Sequence, residues 1–460
     1  MLKLYTVGFG ILLLSGCASY GVIDNKPLTE PPPTRASSTD SYSIENMHSR
    51  EDTGDITMTL NFSGGGTRAA ALSYGVMEEL RDTTVVIDGQ TRRLLDEVDT
   101  ISSVSGGSFT SAYYGLYGER MFEDFKDAFL TVDIERKLVR GLFNPLRWFS
   151  TKGRTEMAVE LYDEYVFHDA TFADMQRAGG PLIMINASDL GYGVRFTFVQ
   201  EYFNLLCSDI NSFPVSRAVT ASSAVPIVFH PIVVENYRDC KSAGKPEWMT
   251  AAAKRLAGDP ELSQVLKGLE SYYEDDKRQY AHFVDGGITD NLGLRATYEV
   301  VGLTGGATAY YERFNRKIPQ HIVLISVDAS TDPEPEMDYS NKQPSLSEAI
   351  SAMSNVQLHR YNDATLEVIH NKLGGWAEAV STPERPVTPH FIQLDFGAIE
   401  QPKELAYLNS IPTSFDLSDE QVDKLIATGR ELLRNDPDFQ RLLAALGGAQ
   451  DQVSPPPAMH

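Results

Sequence analysis

The chain has 460 residues, 42% of them hydrophobic and 10% aromatic, which suits one large α/β domain with insertions or two ordinary domains. Its formal net charge of -23 argues against nucleic-acid binding, because the phosphate backbone would repel it, and against membrane docking through a basic patch. No cysteine and histidine cluster has the spacing of a zinc site, and the chain is expected to require neither a metal nor a cofactor.

The first 17 residues have the form of an export signal. Lys3 is their only charge, and the apolar stretch from Val7 to Leu14 is too short to span a bilayer. The ending Leu14-Ser15-Gly16-Cys17 resembles the lipobox of bacterial lipoproteins, which implies cleavage before Cys17 and lipidation of its thiol. Because Ala18 and Ser19 follow rather than aspartate, the resemblance implies sorting to the outer membrane of the cell envelope. A plain signal peptide with an incidental cysteine is the alternative.

Residues 18–54 show no periodicity and contain Pro31-Pro32-Pro33, so they are predicted to be a flexible, solvated linker reaching on the order of 30 Å. Two further cysteines, Cys207 and Cys240, remain for the folded body. An exported protein meets oxidising conditions, so a disulfide between them is possible, the alternative being two separate buried thiols.

A glycine-rich turn opens the body. The alternation over Ile56–Phe62 predicts a strand, Ser63-Gly64-Gly65-Gly66-Thr67-Arg68 a turn, and residues 69–80 a helix. Such a turn either binds a dinucleotide, with Asp88 as the ribose ligand, or donates backbone amides to an oxyanion. We favour the oxyanion hole, because Asp88-Gly89 lies between β-forming residues and predicts a hairpin turn instead. The glycine–lysine–serine or threonine sequence of a phosphate-binding P-loop is also absent.

The stretch Ser103-Val104-Ser105-Gly106-Gly107 follows residues 95–100, which read as the run-up to a short strand, and precedes a predicted buried helix over residues 109–116. A serine flanked by small residues at a strand-to-helix turn is typical of a nucleophile elbow. Ser103 stands where the usual frame has its first glycine, and a simple loop is the alternative interpretation.

The middle of the chain alternates helical stretches with buried strands. Residues 117–180 are predicted to be largely helical, and the aromatic stretch 138–149 is either a lipid-facing lip or a buried helix. Two strands are predicted at 181–190 and 194–199. Small residues then predict a close-packed helix within Pro214–Pro231, followed by an extended exit.

A polar helical insertion is predicted at about 241–279. After it, Tyr280–Val284 reads as a strand that ends at Asp285-Gly286-Gly287, with Asn291 a few residues on. An aspartate at this position would face the carboxyl edge of a sheet, unless it belongs to a simple turn.

Taken in order, the glycine turn, the serine elbow, the block from Ala218 to Pro231 and Asp285-Gly286-Gly287 resemble the patatin-like phospholipase family over residues 56–330. The resemblance implies a patatin-like three-layer α/β fold, with a mostly parallel central sheet and helices on both faces. It also implies Ser105 as nucleophile and Asp285 as its base, with an oxyanion loop formed by Gly64, Gly65, Gly66 and Arg68. Two positions depart from the family pattern, since Ser103 replaces the elbow glycine and Ala69 often corresponds to glycine.

A histidine is the alternative to Asp285 as the base that activates Ser105. His282 lies three residues from Asp285 on one strand and would point to the opposite face, whereas His321 and His390 begin strands, away from the carboxyl ends. His230 is the remaining rival, because it follows a block expected to line the site. Asp285 is therefore the predicted base, with its pKa raised by partial burial.

Residues 331–450 are predicted to complete the sheet and its helical layer, before a loose tail at 451–460. The prediction as a whole is a lipid-anchored serine hydrolase of phospholipids or other acyl esters, of unknown oligomeric state. An acyltransferase with the same dyad and a non-catalytic envelope lipoprotein remain as alternatives.

Overall fold

The structure is a computed structural model that describes residues 20–29, 41–46, 55–87, 89–132, 153–226, 228–274, 276–332 and 336–447. The predicted leader with Cys17, Asp88, the whole aromatic stretch 138–149 and the tail lie outside these residues. Within them, no helix combines the length and the apolar character that crossing a membrane requires.

Twelve strands occur in the described part of the chain. They are β1 Lys26–Pro27, β2 Ile56–Phe62, β3 Thr84–Ile87, β4 Gln90–Arg93, β5 Val98–Val104, β6 Leu182–Asp189, β7 Val194–Thr197, β8 Ser208–Asp209, β9 Ile232–Glu235, β10 Tyr280–Val284, β11 His321–Val327 and β12 Thr388–Leu394.

The α-helices of the same residues range from one turn to more than nine. They are α1 Gly66–Asp82, α2 Gly106–Tyr117, α3 Met121–Phe125, α4 Arg154–Tyr162, α5 Phe172–Ala178, α6 Gln200–Phe203, α7 Val215–Ser223, α8 Glu247–Arg255, α9 Pro260–Glu274, α10 Gly287–Asp290, α11 Leu294–Thr304, α12 Ala307–Arg313, α13 Leu346–Val380, α14 Pro402–Ser410, α15 Asp419–Asn435 and α16 Pro437–Ala445.

One eight-stranded sheet organises the body, in the order β12-β11-β2-β5-β6-β10-β9, with β7 paired to β6. The pairs from β12 to β6 are parallel, whereas β10 is antiparallel to both β6 and β9. Nearly every side chain of β2, β5 and β6 is buried regardless of its face, which requires cover on both sides of the sheet. The predicted α/β class with a mostly parallel sheet is thereby confirmed.

The C-terminal part is built into the same sheet. Strand β12 pairs with β11 in register from His321 opposite Thr388 to Val327 opposite Leu394. Helix α15 packs against α1, where the Arg434 guanidinium donates 2.6–2.8 Å hydrogen bonds to the Glu79 carboxylate. The hairpin predicted around Asp88 is also present, as the antiparallel pair β3 and β4.

The N-terminal segment differs from the predicted flexible linker over residues 18–54. Strand β1 pairs with β8, and the Asn25 side chain exchanges hydrogen bonds of 2.8 and 2.9 Å with the backbone of Glu235. Further along, Tyr42 is buried and its hydroxyl bonds both backbone groups of Ile183. Residues 20–29 and 41–46 are therefore docked on the body. The sequence does not indicate this docking, because one buried residue in the first segment and three adjacent ones in the second form no periodic pattern.

Cys207 and Cys240 are joined by a disulfide whose Cα atoms lie 5.6 Å apart. It fastens the chain near the edge strand β9, beside the docked segment, since the Leu28 amide donates to the Cys207 carbonyl at 2.8 Å. We expect Cys240→Ser to lower the free energy of unfolding by roughly 3–4 kcal/mol, from the closure entropy of a loop of this length. Urea unfolding with and without reductant measures it, and an unchanged midpoint would contradict the estimate.

Candidate active site

Ser105 occupies the sharp turn between β5 and α2. Its backbone has φ 49° and ψ -119°, a strained conformation for a residue with a Cβ, as nucleophile elbows require. The next residue must be glycine, because a Cβ on Gly106 would lie 2.0 Å from the Gly66 carbonyl oxygen. Ser103, the departure from the usual frame, is accommodated by a 2.6 Å hydrogen bond between its hydroxyl and that of Ser111.

Asp285 follows β10 and meets Ser105 across the carboxyl edge of the sheet. The Ser105 hydroxyl lies close enough to the Asp285 carboxylate to stabilise its charged form, and the same carboxylate accepts the Gly287 amide at 2.8 Å. Burial raises the pKa of Asp285 from 3.8 to about 6, and the bonds from Gly287 and Ser105 oppose that rise. Two residues 180 positions apart in the sequence thus form a hydroxyl–carboxylate pair with a carboxylate of increased basicity.

The raised pKa of Asp285 gives a pH dependence. A general base acts only in its ionised form, so kcat/KM should fall about tenfold per pH unit below the pKa of about 6. A pH–rate profile with a soluble short-chain ester measures the midpoint. A kcat/KM that stays constant between about pH 4 and about pH 7 would contradict the role of the Asp285 carboxylate as general base.

The glycine turn lies directly against the nucleophile. The Gly64 amide donates to the Asn291 carbonyl at 3.1 Å and is thereby engaged. The amides of Gly65 and Gly66, at the N-terminal end of α1, have no acceptor among the residues that the structure covers. The same holds for the amide of Gly106, which begins α2 beside Gly66. Free amides at helix N-termini are suited to stabilise negative charge.

Arg68, which the family resemblance placed in the oxyanion loop with the three glycines, lies behind the glycine turn. Its buried guanidinium donates hydrogen bonds to the carbonyls of Ala329 and Ile411, at 2.8 and 2.6 Å, and to the Thr413 hydroxyl at 2.9 Å. Burial lowers its pKa to about 10, against the attraction of Asp328. These contacts indicate that Arg68 holds the glycine turn in place from behind and does not itself reach an oxyanion.

The C-terminal part also supports this turn, which its sequence did not suggest. The amide of Thr67, one residue after the glycines, donates to the Ser414 carbonyl at 2.9 Å. Together with the Arg68 bonds to Ile411 and Thr413, this contact fixes the shape of the oxyanion loop. No local pattern in residues 411–414 could have indicated the contact, because its partners lie more than 340 positions away.

Ser222, near the end of α7, connects the turn of Ser105 with the turn of Asp285. Its hydroxyl accepts the Ser105 amide at 2.9 Å and donates to the Asn186 carbonyl at 2.6 Å, while its carbonyl accepts the Gly286 amide at 3.0 Å. Two residues later, the Ala224 carbonyl accepts the amide of Asp285 itself at 3.0 Å. The small residues of the block from Ala218 had indicated a close approach, but not that one of them holds both catalytic turns.

The four histidines weighed as alternative bases do not contact Ser105. His282 and His230 are both exposed, and the His230 backbone is bonded to the Thr155 side chain. His321 and His390 contact each other at 3.0 Å, at the edge of the sheet opposite Ser105. In the part of the chain that the structure describes, no histidine ring is found bonded to Ser105, and no group of three or more acidic, histidine or cysteine side chains could hold a metal.

Comparison with known proteins adds an independent finding. Residues 60–298, just over half of the chain, match the family model described as Patatin-like phospholipase. Human GIVD cytosolic phospholipase A2 is similar at 12% identity and a TM-score of 0.44, over 86% of this chain and 63% of the human one. Its complex with methyl gamma-linolenyl fluorophosphonate gives 13% identity and a TM-score of 0.39, over 86% and 60%.

This chain thus spans about three fifths of the length of those human structures. No curated protein matches it at a significant level. Because its model covers more than half of the sequence, the chain belongs to the patatin-like phospholipase family.

Proposed function

We propose that this protein is a serine-dependent lipid acyl hydrolase of the phospholipase A or lysophospholipase type, acting through Ser105 and Asp285. Membership of the patatin-like phospholipase family supports the enzyme class. The observation that carries the proposal is the position of the Ser105 hydroxyl beside a buried carboxylate, whose pKa is raised to about 6 and whose charged form that hydroxyl stabilises. The glycine turn that carries the free amides packs beside the same serine, since a Cβ added to Gly64 would lie 3.3 Å from the Ser105 Cβ atom.

The arrangement suits acyl transfer to a serine. As the Ser105 oxygen attacks an ester carbonyl, its proton passes to Asp285, and the carbonyl oxygen becomes negatively charged. The amides of Gly65, Gly66 and Gly106 are positioned to donate hydrogen bonds to that oxygen. Collapse of the tetrahedral intermediate breaks the ester bond, and the leaving alcohol takes the proton from Asp285. Water then repeats these steps on the acyl-enzyme and releases the fatty acid.

The proposal includes a lipid anchor at Cys17 and a location at the envelope, in the outer membrane. The leader ending in Leu14-Ser15-Gly16-Cys17 supports the anchor, and Ala18-Ser19 supports the location. The substrates would then be glycerophospholipids of the membrane to which the protein is attached. Mass spectrometry of the N-terminal peptide tests the lipidation of Cys17.

Lipid turnover by wild type and Ser105→Ala tests the activity, with fatty acid and lysolipid both quantified. Fatty acid should appear with wild type only, accompanied by an equal amount of lysolipid for a phospholipase A and by loss of lysolipid for a lysophospholipase. Acyl chains that appear on an added acceptor alcohol, in place of free fatty acid, would show an acyltransferase. A fluorophosphonate probe that labels neither protein would show that the site is not catalytic.

A further inference from the structure

The docked N-terminal segment, residues 20–29, removes almost all the freedom of the proposed tether. An undocked linker over residues 18–54 could extend by roughly 120 Å, at about 3.4 Å per residue. In the structure, Asn25 is bonded to Glu235, and Gly21 fits against Val233 so closely that an added Cβ would lie 2.4 Å from its Cγ2 atom. Only residues 18 and 19 remain between Cys17 and the first described residue, Tyr20.

The docked segment lies close to Asp285. Val233 pairs with His282 on β10, and His282 precedes Asp285 by three residues along that strand. Strand spacings of about 4.8 Å and a rise of about 3.4 Å per residue place Gly21 within roughly 20 Å of Asp285. Four more residues can add at most about 14 Å. A lipid on Cys17 therefore fixes the site within roughly 35 Å of its point of attachment.

Exposed apolar side chains border the site on the loops next to Asp285. We call Val225, Val228 and Ile288 the apolar rim, and they are 42, 49 and 54% exposed. Val225 follows Ala224, whose carbonyl accepts the Asp285 amide, and the amide of Ile288 contacts the Asp285 carbonyl at 3.4 Å. Tyr20, where the docked segment begins, is 89% exposed.

The low charge around the apolar rim indicates which kind of partner contacts it. The protein carries a net charge of -23, yet the stretches 224–234 and 286–289 contain no Asp, Glu, Lys or Arg, and His230 is their one titratable side chain. An uncharged apolar surface, together with a lipid attached a few residues away, fits the interface of a bilayer, in which valine, isoleucine and tyrosine side chains are stabilised.

We infer that the docked segment and the apolar rim form one membrane-docking surface, which holds the opening of the Ser105 site against the bilayer that carries the Cys17 lipid. The inference rests on the proposed function for the anchor and for the lipid substrate. It goes beyond that function because the docked segment, instead of a long linker, sets the distance and orientation of the site. Substrate then enters from the bilayer without first crossing water.

The test uses the lipidated full chain in phosphatidylcholine vesicles with brominated acyl chains, which quench nearby indoles. Val228→Trp is compared with Val86→Trp, because Val86 is similarly exposed, at 45%, but lies on the β3–β4 hairpin. The added fluorescence of Val228→Trp should be quenched at least about twofold more than that of Val86→Trp. Equal quenching, or a Cys17 without lipid, would overturn the inference.

A second measurement follows the ratio of vesicle-lipid turnover to soluble-ester turnover. This ratio should fall about tenfold in Val228→Asp, since a charge replaces an apolar contact with the bilayer, and stay at the wild-type value in Val86→Asp. Quenching without any turnover would refute the hydrolase and leave the docking surface standing. Soluble-ester turnover without selective quenching would refute the docking surface alone, as would cross-linking of two copies through the rim.

Discussion

Replacing Asp285 with asparagine is expected to lower kcat by about a thousandfold or more while the protein stays folded. General-base catalysis contributes about 10²- to 10⁴-fold, and without it the Ser105 hydroxyl cannot lose its proton as it attacks. The amide is nearly isosteric and can still accept the Gly287 hydrogen bond of 2.8 Å. The measurement is kcat with a soluble ester, together with the rate of fluorophosphonate labelling of Ser105.

His230→Ala is the control for Asp285→Asn. Its ring is exposed, and its backbone makes the contacts with Thr155, so the substitution should leave kcat within about twofold. Turnover of Asp285→Asn close to wild type would end the dyad hypothesis. A comparable loss in His230→Ala would transfer the role of base to the histidine.

Asp285→Asn should also make the protein more stable at neutral pH. The pKa of Asp285 is about 6 in the folded state, above its ordinary value of 3.8, so folding favours its protonated form. Its contribution to stability is therefore fully present below about pH 4 and is lost as the pH rises through 6. At pH 7 the ionised carboxylate lowers the unfolding free energy by up to about 3 kcal/mol, whereas asparagine carries no charge.

A higher Tm for Asp285→Asn than for wild type at pH 7, and convergence of the two near pH 4, would support this balance. The buried, basic carboxylate lowers the stability of the protein at neutral pH, as is common where activity requires a buried charge. The opposite order of Tm values at pH 7 would indicate that the folded protein favours the ionised carboxylate.

The sequence allowed the main elements of the fold to be predicted because each has a local signature. Alternation indicated β2, a small-residue turn indicated the elbow at Ser105, and Asp285-Gly286-Gly287 followed an apolar strand. The resemblance in four ordered blocks then related the serine to the aspartate. Neither residue could have been paired with the other by spacing alone, since they are 180 positions apart.

Contacts without a local signature could not be predicted. The docking of residues 20–29 depends on the amide of Asn25 and the missing side chain of Gly21, and each is ordinary in a solvated linker. The position of Arg68 depends on carbonyls at Ala329 and Ile411, whose availability only the folded chain reveals. Such pairings arise from tertiary packing, which a single sequence does not encode in any period or motif.

Ser222→Ala provides a test of how the two catalytic turns are held together. The substitution removes the acceptor of the Ser105 amide and the donor to the Asn186 carbonyl, leaving buried polar groups of the elbow unpaired. Loss of such bonds typically costs about 1–3 kcal/mol. Because Ser105 is held in a strained conformation, we expect relaxation of the elbow to move its hydroxyl from Asp285 and lower kcat about 30- to 100-fold, with KM nearly unchanged.

Ser223→Ala is a matched control for Ser222→Ala. Both serines are buried at the end of the same helix, but the Ser223 hydroxyl donates to Val219 within that helix, at 2.9 Å. It should therefore lose similar stability and keep kcat within a few-fold of wild type. A positioning role also requires that Ser222→Ala retain the pH midpoint near 6, because Asp285 still acts as the base. Equal losses of kcat in the two variants would mean that Ser222 contributes only to packing, and that the elbow keeps its shape without this hydrogen bond.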